Sequence, residues 1–237
     1  MVLPGVWLVV VPGEGVDGEW VESLVEGLGS GVVRLVVSGR VDRAGLVEQL
    51  RGVVEGGVRF AGVVSLLGVC EGWRWSSVPV GVVDTAVLVQ ALDEVGVGGR
   101  LWVVTCGAVS VGVGELVGSV GQGGLWGLGR VAALEYPELW GGVVDVPVEL
   151  SGGVVRRLVG VLGGGVGDED QVAVRGGGVY GRRLVPAPAP VPAAAGGGWE
   201  PSGTVLITGG TGVLGGHVAR WLAGRGVEHL LLLSRRG

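Results

Sequence analysis

Lysine is absent from the 237 residues, and all 17 basic side chains are arginine. Arginine, glycine, valine and alanine share GC-rich codons, so genome composition accounts for the bias. Its chemical consequence stands regardless: no step that needs an amine side chain, Schiff-base formation included, can be done by this chain. Cysteine is reduced to Cys70 and Cys106, far apart and without a CxxC spacing, and the only histidines are His217 and His229. That excludes a disulfide framework and offers no metal-ligand pattern, so reduced core thiols in a cytoplasmic protein are expected. Apolar runs such as Phe60 to Cys70 are short, well under the roughly 20 residues that cross a bilayer. Acidic residues come early (Glu14, Asp17, Glu19) and the first arginine is Arg34, which is not a secretory signal. Basic residues nowhere run beyond a pair such as Arg235-Arg236, and net charge is −5. A nucleic-acid binder would show a basic face. The expectation is therefore no nucleic acid and no membrane among the partners.

What is present is valine, 53 glycines and a hydrophobic content of 48%, enough for a buried core without staples. Short apolar runs alternate with longer amphipathic stretches. Strands are predicted at Trp7 to Val11, Val32 to Val37, Phe60 to Leu67, Leu101 to Thr105 and Val143 to Val146. Helices are predicted at Glu19 to Leu28, Ala44 to Glu55, Val82 to Val95, Leu125 to Glu135 and Val154 to Leu162. Gln171 to Arg175 and Val179 to Val185 read as a closing strand pair around Gly176-Gly177-Gly178, a hairpin turn. Continuous apolar strands separated by helices specify a parallel sheet covered on both faces. The fold class is α/β: a Rossmann-like doubly wound parallel sheet over residues 1–185, followed by the first βαβ of a second Rossmann unit.

Residues 186–203 are rich in Pro, Ala and Gly and read as a connector. The second unit, 204–237, is predicted as strand Thr204 to Thr208, a turn and helix over Gly212 to Arg225, and strand His229 to Leu233. Its helix carries an apolar stripe at Leu214, Val218, Trp221 and Leu222.

The turn Thr208-Gly209-Gly210-Thr211-Gly212-Val213-Leu214-Gly215 carries the chemistry. It follows a strand and opens a helix, the setting that a dinucleotide fingerprint requires. Gly209 and Gly210 are expected at positive φ. Gly212 lets the backbone approach a pyrophosphate, and Gly215 lets the helix pack closely. Helix N-terminal amides then face the phosphates. An NAD site usually ends the next strand with an acid on the ribose 2′-hydroxyl. Here Ser234 and Arg235 stand there instead. A guanidinium binds a 2′-phosphate with charge-assisted hydrogen bonds, so NADPH is the expected cofactor, with Arg236 merely solvated.

The stretch TGGTGVLGGHVARWLA (208–223) followed by LLLLSRRG (230–237) resembles the ketoreductase domain of modular polyketide synthases, a branch of the short-chain dehydrogenase/reductases. Leu125–Pro147 and Glu169–Arg175 running into Tyr180–Pro186 are similar to the structural subdomain of the same ketoreductases. The resemblance implies a degenerate Rossmann-like half supporting a catalytic half. It implies NADPH-dependent reduction of a β-ketoacyl chain on an acyl carrier protein to a β-hydroxyacyl chain, with other polyketide synthase domains as neighbours. The family's Tyr, Ser and Lys lie well past the glycine turn. Here neither Tyr nor Lys follows Gly215, both tyrosines (Tyr136 and Tyr180) precede the turn, and the family's Leu-Asp-Asp stretch is missing. No catalytic residue is therefore assigned, and a C-terminally truncated, inactive ketoreductase portion is expected. Trp126 and Arg130 share the four-residue spacing of a reductase Tyr and Lys, but read better as core and surface; the Gly-rich segment 124–129 is discounted as a nucleotide loop. Two rival readings remain: a non-catalytic docking scaffold of a synthase, and a nucleotide-sugar epimerase or dehydratase with a similar glycine turn.

Overall fold

The computed structural model describes residues 3–39, 42–75, 77–186 and 201–235. Most of the predicted connector (187–200) and Arg236 lie outside the described residues. The chain divides into two compact units, Met1–Arg183 and Leu184–Gly237.

The first unit contains β1 (Val6–Pro12), α1 (Gly18–Leu28), β2 (Val32–Val37), α2 (Arg43–Val54), β3 (Phe60–Ser65), a short hairpin of β4 (Trp73–Arg74) and β5 (Val78–Pro79), α3 (Val80–Val95), β6 (Arg100–Cys106), α4 (Val120–Glu135), β7 (Trp140–Val146), α5 (Gly152–Leu162), β8 (Gln171–Arg175) and β9 (Gly178–Gly181). The main sheet has the order β2-β1-β3-β6-β7-β8-β9. Every neighbouring pair is parallel except β8 with β9. Strand order reverses between β1 and β3, the mark of a doubly wound sheet.

Alternation along each strand feeds two cores. In β1, Leu8 and Val10 face a layer holding Leu46 and Leu50 of α2, Leu88 and Leu92 of α3, and Leu125 of α4. Trp7, Val9 and Val11 face the opposite layer, with Leu24 and Leu28 of α1 and Val154 and Leu158 of α5. Both faces are covered, which is why these strands read as unbroken apolar runs.

Three local expectations are corrected. The third strand stops at Ser65, and Leu67–Val69 forms a single 3₁₀ turn, whose first amide donates to Ser65 Oγ at 3.3 Å. The last strand covers only Gly178–Gly181. Helix α4 starts five residues before the expected Leu125, despite its glycines. Ser119 caps it, accepting from the Gln122 amide, and its hydroxyl donates to Glu71 Oε1 at 2.7 Å. A Cβ at Gly129 would lie 2.9 Å from Trp140 Cζ2, so this glycine serves helix–sheet packing. The segment 124–129 is helix, not a nucleotide loop.

The second unit contains β10 (Thr204–Thr208), α6 (Val213–Gly224) and β11 (His229–Leu233), with β10 and β11 parallel. The expected apolar stripe of α6 is not its buried face. Leu222 is buried, but Leu214 is 81% exposed and Val218 and Trp221 are also open. The face turned inward runs through Gly215, Ala219 and Leu222, spaced i, i+4, i+7. Trp221 instead carries the Arg225 guanidinium over its ring at 4.5 Å, a cation–π contact.

Candidate functional site

Parallel pairing sets the site. Thr208 lies opposite Leu233 at the carboxyl ends of β10 and β11, the edge where open α/β sheets hold ligands. Leaving β10, the chain turns through Gly209 at φ +68. The Gly210 amide donates to the Leu233 carbonyl at 3.1 Å, tying the turn to β11, and the Gly212 amide donates to the Gly209 carbonyl at 2.9 Å.

Gly210 does not have the positive φ expected of it. It is required for space: a Cβ there would lie 2.7 Å from Leu232 Cβ and 2.9 Å from the Ile207 carbonyl oxygen. A Cβ at Gly215 would lie 2.4 Å from the Gly209 carbonyl oxygen and 2.6 Å from Gly210 Cα. Gly215 therefore lets the first turn of α6 sit directly on the loop. Gly212 is the helix N-cap and has no side-chain cap. The amides of Val213, Leu214 and Gly215 are the first of the helix and lack intrahelical acceptors, while the next amide, of Gly216, donates to the Gly212 carbonyl at 2.8 Å.

A cavity of about 890 Å³ opens over this turn, lined by Thr208, Gly209, Thr211, Gly212, Leu233, Ser234 and Arg235. The structure thus brings Ser234 and Arg235 to the wall facing the glycine turn. Gly210 and Gly215 are buried beneath it, and the side chains of Val213 and Leu214 point to solvent, 80% and 81% exposed. Leu233 lines the cavity and was not among the expected residues; its place at the tip of the second strand was the available signal. Among the described residues, no carboxylate lines this cavity.

In the first unit, the structure gives Trp126 and Arg130 separate roles. The Trp126 indole N–H donates to Thr105 Oγ1 at 3.3 Å. Thr105 in turn donates to the fully buried Asp145 at 2.7 Å. Asp145 also accepts from the Ala108 amide at 2.8 Å and from Arg175 Nη2 at 2.7 Å. Burial disfavours the Arg175 charge, but the Asp145 and Glu115 carboxylates outweigh it and raise its pKa. Trp126 is core, and Arg130 is exposed on α4. Cys70 and Cys106 are unpaired and half-buried rather than core. Burial first, then the charge of Asp84 for Cys70 and of Asp145 for Cys106, pushes both thiols up to about 11. Among the described residues, no cluster of three His, Cys, Asp or Glu could hold a metal ion, and no helix is long and apolar enough to cross a membrane.

Two family models match. Residues 80–184 match the Rossmann fold domain of the polyketide synthase extender module SpnB. Residues 203–237 match the KR domain. Over 242 residues the chain is 48% identical to polyketide synthase GfsA of Streptomyces halstedii, covering 99% of this chain and 3% of that protein. It is 43% identical over 237 residues to the pikromycin polyketide synthase component PikAIII of Streptomyces venezuelae, covering 99% of this chain and 14% of that one. Among solved structures, A-type ketoreductases from a modular polyketide synthase superpose with a TM-score of 0.79 at 43% identity, over 99% of this chain and 50% of theirs. A C2-type ketoreductase from a modular polyketide synthase gives 0.76 at 42%, over 97% of this chain and 51% of its own. The chain thus spans about half of those ketoreductase chains and a small share of the synthases.

Proposed function

The chain belongs to the ketoreductases of modular polyketide synthases, and from that premise we propose that it supplies the phosphate-binding part of an NADPH site. The reaction served is reduction of a β-ketoacyl group, tethered to an acyl carrier protein, to a β-hydroxyacyl group. Other synthase domains are its neighbours, and the cytoplasm its compartment.

The observation that carries this reading is the pairing of a helix N-terminus without a side-chain cap with a cationic wall, acid-free among the described residues, across one cavity. The cradle fits a dinucleotide diphosphate: Gly209 takes the left-handed turn, and Cβ atoms at Gly210 or Gly215 would collide with backbone. The amides of Val213 to Gly215 bind phosphate oxygens, aided by the helix dipole. Arg235 selects the 2′-phosphate, which an acid in that place would repel. NADPH, when bound, supplies the hydride. The chain's own residues hold and orient it, but they offer no proton donor beside it. The 237 residues include no lysine, and Tyr136 and Tyr180 belong to the first unit. The 237-residue chain is therefore expected to bind nucleotide without turnover.

Fluorescence titration of the whole chain with NADPH and NADH tests this. Arg235→Ala is expected to weaken NADPH about tenfold or more, the worth of a charge-assisted hydrogen bond, and to leave NADH unchanged. Equal weakening of both nucleotides, or oxidation of NADPH by the wild-type chain with a model β-ketoester, contradicts the proposal.

A further inference from the structure

A second cavity, of about 530 Å³, lies in the first unit at the carboxyl end of β6, between α4 and the β8–β9 hairpin. The nucleotide reading makes no use of it. Its polar lining is Ser110, Arg130, Tyr180, Arg182 and Arg183, over an apolar floor that includes Ala173 and the Trp126 ring. Among the described residues, no Asp or Glu lines it.

The three guanidinium groups are not equally committed. Arg183 forms a two-pronged ion pair with Glu169 and is neutralised. Arg182 Nη1 donates to Gln171 Oε1 at 2.8 Å, a neutral acceptor that leaves its charge uncompensated. Arg130, among the described residues, makes no hydrogen bond or ion pair. Arg175, behind the wall, is balanced by Asp145 and Glu115. Two positive charges therefore share the rim of one cavity with no acid lining it among the described residues.

The wall is also held in place before any ligand arrives. Asp145 accepts from the Ala108 amide, Arg175 donates to the Val109 carbonyl at 2.9 Å, and Glu115 accepts from the Val111 amide at 2.8 Å. A preformed wall removes part of the ordering cost of binding. The Trp126 N–H is already spent on Thr105, so its ring is left as an apolar surface.

We propose that this cavity binds a small organic oxyanion, a phosphate monoester with a short apolar tail, gripped by Arg130 and Arg182. Guanidinium groups match phosphate oxygens in geometry and charge. The site is independent of the glycine turn and of the reductase reading.

Site-resolved amide and indole NMR shifts of the whole 237-residue chain, titrated with butyl phosphate, test it. Saturable shifts are expected at Ser110, Val111, Ala173 and the Trp126 indole. Arg130→Gln and Arg182→Gln should each weaken binding about tenfold, with Arg130→Lys retaining more affinity than Arg130→Gln. Inorganic phosphate should bind more weakly than butyl phosphate, and Arg235→Ala should change nothing at these positions. Three results would each overturn the proposal: shifts confined to 208–215, undiminished binding in the Arg130→Gln/Arg182→Gln double variant, or butanol acting as strongly as butyl phosphate. Both arginines project from the surface, so these variants are expected to melt like wild type.

Discussion

Replacing Asp145 by alanine tests the interior of the first unit most sharply. Asp145 is fully buried and accepts hydrogen bonds from Thr105, the Ala108 amide and Arg175. Its removal strands the Thr105 hydroxyl and the Ala108 amide, and it strips a nearly buried guanidinium of its inner carboxylate. Breaking one side of a buried pair costs about 3–5 kcal/mol. For a unit of this size each kcal/mol shifts the melting midpoint by about 2–4 °C, so a fall of about 6–20 °C is expected by circular dichroism. Glu115, the other partner of Arg175, has a side chain 32% exposed. Solvent screening reduces that contact to about 0–1 kcal/mol, so Glu115→Gln should move the midpoint by less than about 4 °C. The Asp145→Leu/Arg175→Met double variant removes both charges and should recover most of the loss of Asp145→Ala. The reasoning fails if Asp145→Ala melts within about 2 °C of wild type, or if Glu115→Gln falls as far.

Other expectations follow from the thiols and the glycine turn. With pKa values of about 11, Cys70 and Cys106 carry about 0.1% thiolate at pH 8, against about a quarter for a free thiol. Alkylation by iodoacetamide, followed by mass spectrometry, should be about 200-fold slower than for free cysteine; rates like those of the free thiol would contradict the burial described. Above pH of about 8.5 the unfolded chain loses these protons before the folded one does, so their contribution to stability declines as pH rises toward 11. Gly215→Ala would place a Cβ 2.4 Å from a backbone oxygen, with no flexible side chain to yield. The turn must open, and NADPH affinity should fall at least tenfold while melting of the first unit is unchanged; unaltered affinity would show that Gly215 is not needed for the cradle.

The sequence by itself determined the local elements. The strands at Val32–Val37, Gln171–Arg175, Thr204–Thr208 and His229–Leu233 were read with the bounds they have in the structure. Each is a short run of mostly β-branched and apolar residues bounded by glycine, charge or turn residues, and that information lies within each run. The glycine turn was legible for the same reason, being a contiguous segment whose steric demands travel with it. Where nearby residues acted through unread chemistry, the reading slipped. The glycines of α4 hid its first turn, although Ser119 and Gln122 carried a capping pattern.

Tertiary structure alone decided which apolar residues of α6 turned inward, because that depends on the strands the helix packs on and not on its own periodicity. It decided that Gly210 is small for want of space beside Leu232, a neighbour contributed by another strand. It also joined Asp145 to Arg175 and brought Arg130 into one cavity with Arg182. These residues lie far apart in the chain, and no local pattern couples them. Sheet order and strand register set which charges meet, and those follow from the burial of the whole sheet rather than from any one segment.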